Sequence, residues 1–109
     1  MRTKLIQNPI AAIPSLEHLP SGGGPPERTI LETFPFSLGR SESCDLQIDS
    51  DRVSREHALI VEEGGRFQIH DRGSTNGTFL NGRQIDDSPI NEGDILLIAD
   101  VEFTFLVGR

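Results

Sequence analysis

Three segments of the chain concentrate groups that can donate hydrogen bonds to an anion. Residues 51–57 contain two arginines, a serine and a histidine, and residues 71–78 combine hydroxyl and amide side chains with glycines. Glycine-containing turns can point their backbone N–H groups at an oxyanion. The third segment, Gly39-Arg40-Ser41, adds a glycine that permits a turn and a guanidinium with several donors. These residue types indicate an anion-binding site built from loops.

The type of basic residue narrows the choice of anion. The chain has nine arginines and one lysine, Lys4. A guanidinium presents a planar fork that binds two oxygens of a phosphate at once, whereas an ammonium acts as a point charge. The segments therefore favour a phosphate dianion as the ligand. Each segment alone is more typical of solvated arginines and ordinary turn residues, and only their joint order along the chain favours a site.

A catalytic site and a metal site agree less well with the sequence. Ser54, His57 and Asp71 could form a nucleophilic triad, but Ser54 lacks the G-x-S-x-G elbow, and nothing in the spacing makes the serine and histidine side chains meet. Candidate metal ligands come from unrelated regions without ligand spacing; they are His18, His57, His70 and Cys44. We therefore expect no enzyme activity, no metal and no cofactor.

Composition excludes several classes of protein. The 109 residues, 35% of them hydrophobic, suffice for one compact domain and leave no room for a second, catalytic one. A net charge of −7 argues against nucleic-acid binding, which needs a basic face. The apolar runs are far shorter than a membrane span of about 20 residues, and one cysteine cannot form an internal disulfide. We expect a cytoplasmic protein that is monomeric as an isolated domain and binds neither nucleic acid nor membrane.

From residue 28 onward, short runs of β-branched and aromatic residues alternate with turn residues. This pattern predicts an all-β antiparallel sandwich with little or no helix. The predicted strands are residues 29–33, 34–38, 46–48, 58–62, 66–71, 78–80, 83–85, 95–98 and 102–107. Gly64-Gly65 and Asn81-Gly82 are predicted hairpin turns, and Asn-Gly suits the positive φ angles of a type I′ turn. Pro35 places the run 34–38 at a sheet edge.

The first 27 residues have a different composition. Lys4-Leu5-Ile6-Gln7 could form a strand, but prolines at positions 9, 14, 20, 25 and 26 argue against regular structure beyond it. Ile10, Ile13, Leu16 and Leu19 recur every third residue, and we interpret them as part of a loop attached to the core because Pro14 disfavours a long helix. We expect residues 1–27 to form an N-terminal strand or arm with a Pro/Gly-rich loop, and residues 28–109 to form the sandwich.

The ordered segments resemble the forkhead-associated (FHA) domain family. The resemblance rests on Gly39-Arg40, Ser54-Arg55-Glu56-His57, Ser74-Thr75-Asn76-Gly77-Thr78 and Asn81-Gly82. It covers about residues 28–107; residues 1–8 would supply the family's first strand and residues 9–27 an enlarged loop. It implies a sandwich of about eleven strands that uses loops at one end to recognise phosphothreonine in an extended segment of a partner protein. Such a module would recruit partners in Ser/Thr kinase signalling without catalysis.

The resemblance also implies roles for individual residues. Phosphate-contacting positions are matched by Arg40, Ser54, Arg55 and Thr75. Asn76 matches a residue that binds the peptide backbone, for which an amide that both donates and accepts is suited.

Specificity and support are implied at other positions. Arg52 resembles a position that favours an acidic residue three places after the phosphothreonine, although a salt bridge to Asp49 or Asp51 fits the sequence equally well. Arg72 is a second candidate for specificity. Structural support of the loops is implied for Gly39, His57, Gly77, Asn81 and Gly82.

Another kind of binding module fits the same composition. The sandwich could dimerise or dock a neighbouring domain without phosphate, using the Pro/Gly-rich arm and its apolar positions. A tight dimer that resists phosphatase treatment would indicate this alternative.

Overall fold

The structure of the chain is a computed structural model that describes residues 13–20 and 22–108. These residues form eleven strands and no helix, so they include no helix that could cross a membrane. The strands are β1 (Ile13–His18), β2 (Glu27–Ile30), β3 (Phe36–Gly39), β4 (Leu46–Gln47), β5 (Ala58–Glu63), β6 (Arg66–Asp71), β7 (Thr78–Leu80), β8 (Arg83–Ile85), β9 (Asp87–Pro89), β10 (Ile95–Ile98) and β11 (Val101–Gly108).

The strands form two sheets. One has the order β2-β1-β11-β10-β7-β8 and the other the order β4-β3-β5-β6-β9. All paired strands are antiparallel except β3 and β4, which are parallel. The predicted antiparallel sandwich is confirmed.

A single hydrophobic core lies between the sheets. Leu16, Leu96 and Phe105 enter it from the first sheet, and Ile60 and Ile69 enter it from the second. Successive side chains of a strand point to opposite faces, so each of these residues is flanked by more exposed neighbours. Apolar burial of this kind is the main stabilising term of the fold.

Strands defined by local alternation or by a local turn were predicted well. The runs 66–71, 78–80, 83–85 and 95–98 are observed with the same bounds. Asn81 and Gly82 have φ of 51° and 86°, and Gly64 and Gly65 have φ of 60° and 81°, which confirms both hairpin turns.

The N-terminal segment differs from the prediction. The run 4–7 lies outside the described residues, but the loop expected at residues 9–27 is wrong over Ile13–His18, where β1 pairs with β2 and β11. Pro14 is tolerated because its carbonyl accepts a hydrogen bond from the Leu31 N–H at 3.0 Å, directly beyond the end of β2. In an antiparallel pair the N–H and carbonyl of one residue point to the same neighbouring strand, so the missing N–H of Pro14 would also face Leu31. The proline therefore removes one hydrogen bond at the end of the β1–β2 ladder and none in its middle.

Three other strand predictions require correction. Residues 29–33 were expected as a strand, and β2 instead covers Glu27–Ile30. The run beginning at residue 34 is not an edge strand, because β3 starts after Pro35 and is flanked by β4 and β5. The strand β9 was missed, since Asp-Ser-Pro has low strand propensity and is held by pairing with β6.

Candidate functional site

The three donor segments meet at one end of the sandwich. In the second sheet Leu38 pairs with Ala58, and Ala58 pairs with Asp71. The end of β3, the start of β5 and the end of β6 are therefore neighbours. Arg40 follows β3, Ser54 precedes β5, and Thr75 lies between β6 and β7, so the sheet register places all three in adjacent loops.

Arg40 is held by its backbone and by one side-chain nitrogen. Its N–H donates to the Ser54 carbonyl at 3.0 Å, and its Nε donates to the Val53 carbonyl at 3.0 Å. Neither terminal nitrogen of the exposed guanidinium bonds to another described residue. The two terminal nitrogens are thus oriented by the Nε bond and can bind a pair of phosphate oxygens.

Ser54 and Thr75 are joined across two loops. The backbone N–H of Thr75 donates to Ser54 Oγ at 3.1 Å. A hydroxyl that accepts one bond still has its own hydrogen to donate. Ser54 can therefore donate to an oxyanion while it holds the backbone of Thr75 in place, and Thr75 itself is exposed.

Asn76, the residue after Thr75, connects the same two loops through its side chain. Its Nδ2 donates to the Arg52 carbonyl at 2.6 Å. Within the described residues, its Oδ1 and its second N–H have no partner. One acceptor and one donor therefore remain for the backbone of an extended ligand.

His57 is fully buried and ties the loops together. The Ser54 backbone N–H donates to its Nδ1 at 3.0 Å, so its Nε2 carries the hydrogen and donates to the Gly77 carbonyl at 2.9 Å. The backbone N–H of His57 donates to the Leu38 carbonyl at 2.9 Å. These bonds join three loops of the site, and structural support by His57, which the resemblance implied, stays a prediction.

The nucleophilic triad considered from the sequence does not assemble. His57 contacts the backbone nitrogen of Ser54, and the Ser54 hydroxyl instead accepts a bond from Thr75. The carboxylate of Asp71 binds other residues of its own loop. Within residues 13–20 and 22–108, no group of three or more His, Cys, Asp or Glu is placed to hold a metal.

Two glycines allow close approaches that shape the loops. A Cβ on Gly39 would lie 2.2 Å from the Arg55 carbonyl oxygen, so no side chain fits where β3 meets the Ser54 loop. A Cβ on Gly77 would lie 2.9 Å from the Gln84 side chain, and Gly77 also has a φ of 91°. Asn81-Gly82 forms the β7–β8 turn, as predicted.

Three other arginines lie in the same loops as the site residues and form no ion pair within the part of the chain that the structure describes. Arg52, Arg55 and Arg72 are exposed, and the ion pairs found among the described residues involve none of them. The alternative salt bridge of Arg52 to Asp49 or Asp51 is therefore not formed. Four of the seven arginines in the described residues belong to these loops, so guanidinium groups are concentrated at this end of an acidic chain.

Asp71 is a residue of the site that the sequence prediction did not assign. Partial burial raises the pKa of its carboxyl, but hydrogen bonds from the hydroxyls and N–H groups of its loop outweigh burial and hold that pKa below its ordinary value. The sequence did contain a signal for this role, because an aspartate often accepts bonds from backbone N–H groups two and three residues later, here those of Gly73 and Ser74.

Two surface grooves lie away from the donor loops. One, of about 740 Å³, is lined by the β5–β6 turn, Phe67, Ile90 and Val107, and a second, of about 460 Å³, adjoins it at Val107. Neither contains a residue of the donor loops. Arg40 and Thr75 of the candidate site are exposed.

Comparison with known proteins agrees with this geometry. A family model of the FHA domain matches residues 36–99, which is more than half of the chain. The chain therefore belongs to the FHA domain family, a family of binding modules.

Relatives are found among bacterial regulators. The glycogen accumulation regulator GarA of Mycolicibacterium smegmatis is 37% identical over 106 residues, which cover 89% of this chain and 67% of GarA. The transcriptional regulatory protein EmbR of Mycobacterium tuberculosis is 36% identical over 97 residues, which cover 88% of this chain but 24% of EmbR. The chain thus spans about two thirds of one relative and about a quarter of the other.

Two solved structures illustrate the similarity of fold. M. tuberculosis EmbR in complex with a low-affinity phosphopeptide has a TM-score of 0.81 and 33% identity, covering 90% of this chain and 25% of that chain. The FhaA FHA domain complexed with the intracellular domain of Rv3910 has a TM-score of 0.74 and 25% identity, covering 84% of this chain and 98% of that chain.

Proposed function

We propose that this chain is a phosphothreonine-dependent peptide-binding module that recruits a phosphorylated partner protein in Ser/Thr kinase signalling. The observation that carries the proposal is the free donor capacity at one end of the sandwich. Among the residues that the structure describes, the terminal nitrogens of Arg40 and the hydroxyl hydrogen of Ser54 have no partner, while the other polar groups of both residues fix them in place. The phosphopeptide bound to the related EmbR supports the same type of ligand here.

Each site residue has a proposed role. Arg40 binds the phosphate through two N–H groups, and Ser54 donates its hydroxyl to it. The exposed Arg55 and Thr75 side chains supply further donors from the two flanking loops. Asn76 binds the peptide backbone through its free Oδ1 and N–H, which gives affinity without selecting a side chain.

Selection of flanking residues is proposed for Arg52 and Arg72. The carbonyl of Arg52 is held by Asn76, so the Arg52 side chain starts beside the proposed backbone clamp. The backbone N–H of Arg72 donates to the His57 carbonyl, which anchors Arg72 at the same end of the sheet. Both guanidiniums lack an ion pair within residues 13–20 and 22–108. Guanidiniums at these places favour acidic residues near the phosphothreonine, and Arg52 is proposed to select the third residue after it.

The module is proposed to bind without catalysing a reaction and without a cofactor. The bonding of Ser54 and His57 supports this, because the His57 ring accepts from the backbone N–H of Ser54 and not from its hydroxyl, which accepts the Thr75 N–H. We also propose a monomeric domain in the cytoplasm, where a free thiol such as that of Cys44 stays reduced. The net charge of −7 supports a protein partner rather than a nucleic acid.

Calorimetric titration tests the proposal. The chain would be titrated with a degenerate peptide pool containing a central phosphothreonine, with the unphosphorylated pool and with a phosphoserine pool. We expect binding to the phosphothreonine pool alone and its loss in Arg40→Ala. A folded wild type that ignores phosphate in a broad pool would contradict the proposal and favour phosphate-independent docking.

A further inference from the structure

One carboxylate organises the whole β6–β7 loop. Asp71 Oδ2 accepts hydrogen bonds from the N–H groups of Gly73 at 2.9 Å and Ser74 at 3.0 Å. Its Oδ1 accepts from the hydroxyls of Ser74 at 2.5 Å and Thr78 at 2.7 Å. Each oxygen therefore accepts two bonds, which fills the acceptor capacity of an ionised carboxyl group.

These bonds connect the two sheets. Asp71 is the last residue of β6 in the five-stranded sheet, and the fully buried Thr78 is the first residue of β7 in the six-stranded sheet. Ser74 extends the network, because its Oγ accepts the Gly77 N–H at 3.0 Å. The carboxylate thus fixes both ends of the loop and its middle.

Thr75 and Asn76 lie in the middle of this loop and, like Arg72, make no bond to the Asp71 network. Thr75 binds Ser54 through its N–H, and Asn76 binds the Arg52 carbonyl through its side chain. Their distance from Arg40 depends on a loop that Asp71 holds in shape.

The position of this charge is otherwise unfavourable. A carboxylate near a phosphate site repels the ligand unless its charge is neutralised by other groups. The four hydrogen bonds donated to Asp71 stabilise its negative charge inside the loop. The bond from the buried Thr78 hydroxyl of the opposite sheet shows that Asp71 does more than end β6.

From these contacts we infer that Asp71 is a positioning residue of the site: its carboxylate sets the β6–β7 loop so that Thr75 and Asn76 face the same ligand as Arg40 and Ser54. The inference rests on the proposed phosphothreonine-binding function. Asp71 itself does not touch the ligand.

The first test measures affinity in a matched pair of variants. Asp71→Asn keeps the shape of the side chain and removes its charge. Asp94→Asn is the control, because Asp94 is also half-buried and accepts bonds from Asn81 at 3.1 Å and Asn91 at 2.8 Å at the other end of β7. With the strongest-binding phosphothreonine peptide of the pool, Asp71→Asn is expected to raise Kd about tenfold or more and Asp94→Asn less than about twofold.

A double-mutant cycle separates positioning from a general structural role. If Asp71 acts through Asn76, adding Asp71→Asn to Asn76→Ala raises Kd by much less than the roughly tenfold expected in the wild type. Fully additive effects, an unchanged Kd in folded Asp71→Asn, or an equal loss in Asp94→Asn would each overturn the inference. If Asp71→Asn fails to fold, Ser74→Ala takes its place in the cycle, since it removes one hydroxyl of the network.

A measurement without ligand distinguishes failure of this inference from failure of the proposed function. Amide hydrogen exchange is expected to accelerate at Thr75 in Asp71→Asn, while the Arg40 amide, which binds the Ser54 carbonyl, keeps its protection. Unchanged exchange at Thr75 would overturn the inference even if no peptide bound. Faster exchange in a protein that ignores every phosphopeptide would leave the loop architecture correct and the proposed function wrong.

Discussion

At the scale of single residues, Arg40 combines a fixed position with unused donors. We predict that Arg40→Ala weakens phosphothreonine-peptide binding by roughly 2–5 kcal/mol, because the desolvated phosphate loses its paired donor. This corresponds to a rise in Kd of roughly 30-fold to several thousand-fold, measured by calorimetry. The control is Arg66→Ala, which removes an exposed arginine at the opposite end of β6. Equal losses in both variants would mean that net charge, and not the site, determines affinity.

The ionisation of a single residue, Asp71, also makes the stability of the fold depend on pH. Its folded pKa lies below its ordinary value, so the ionised carboxyl stabilises the fold above the unfolded pKa of about 3.9, and this contribution disappears as the pH falls through the lower folded pKa. We predict that the Tm difference between wild type and Asp71→Asn is constant from about pH 7 to about pH 5 and narrows towards about pH 3. Thermal melts at these pH values test this. A difference that persists unchanged to the lowest pH would show that charge is not what Asp71 contributes.

At the scale of elements, the His57 ring connects the loop before β5 to the loop before β7. His57→Ala leaves a cavity, strands the Ser54 N–H and removes one of the two bonds to the Gly77 carbonyl, which keeps the Ala99 N–H, so we predict a loss of roughly 2–4 kcal/mol of stability. The Tm should fall by about 10 °C or more, with binding weakened in the protein that remains folded. His70→Ala, which removes a more exposed ring paired with Asp87, should cost about 1 kcal/mol or less. Lost binding with an unchanged Tm would assign His57 to the ligand instead of the scaffold.

How far the sequence predicts the elements depends on whether their cause is local. The Asn81-Gly82 hairpin was predicted to the residue because the turn type depends on those two φ angles. β1 was not predicted, because Pro14 is tolerated only where β2 has already ended. β9 was missed because Asp87-Ser88-Pro89 becomes a strand through its pairing with β6. Both exceptions depend on contacts between residues distant in sequence.

The residues of the site also divide into those predicted from local motifs and those that depend on contacts between distant parts of the sequence. Resemblance to the FHA motifs supplied candidate roles for Arg40, Ser54 and Asn76, and the structure brings these residues into adjacent loops. The hydrogen-bond network of Asp71 could not be anticipated, since Thr78 reaches that carboxylate only when the two sheets pack together. Positioning residues are therefore harder to read from a sequence than residues that contact the ligand.

At the scale of the whole molecule, two electrostatic effects of opposite sign act on a phosphopeptide. The described residues contain seven arginines and 17 acidic residues, and four of those arginines lie in the site loops. These residues extend over 53 × 31 × 27 Å, so much of the acidic surface is farther from the ligand than the screening length of about 8 Å at physiological salt. At about 0.01 M salt the screening length is about 30 Å, and an approaching ligand experiences the acidic remainder as well.

This competition predicts an association rate with a maximum. For an acidic phosphothreonine peptide, raising salt from about 0.01 M to about 0.1 M screens the distant repulsion first and should increase the rate constant. Beyond about 0.1 M the attraction of the site arginines is screened too, and the rate should fall. Stopped-flow measurements across this range test the prediction, with a peptide of neutral flanks expected to show a weaker rise. A rate that falls steadily from the lowest salt would mean that the arginines of the loops dominate the field at every distance.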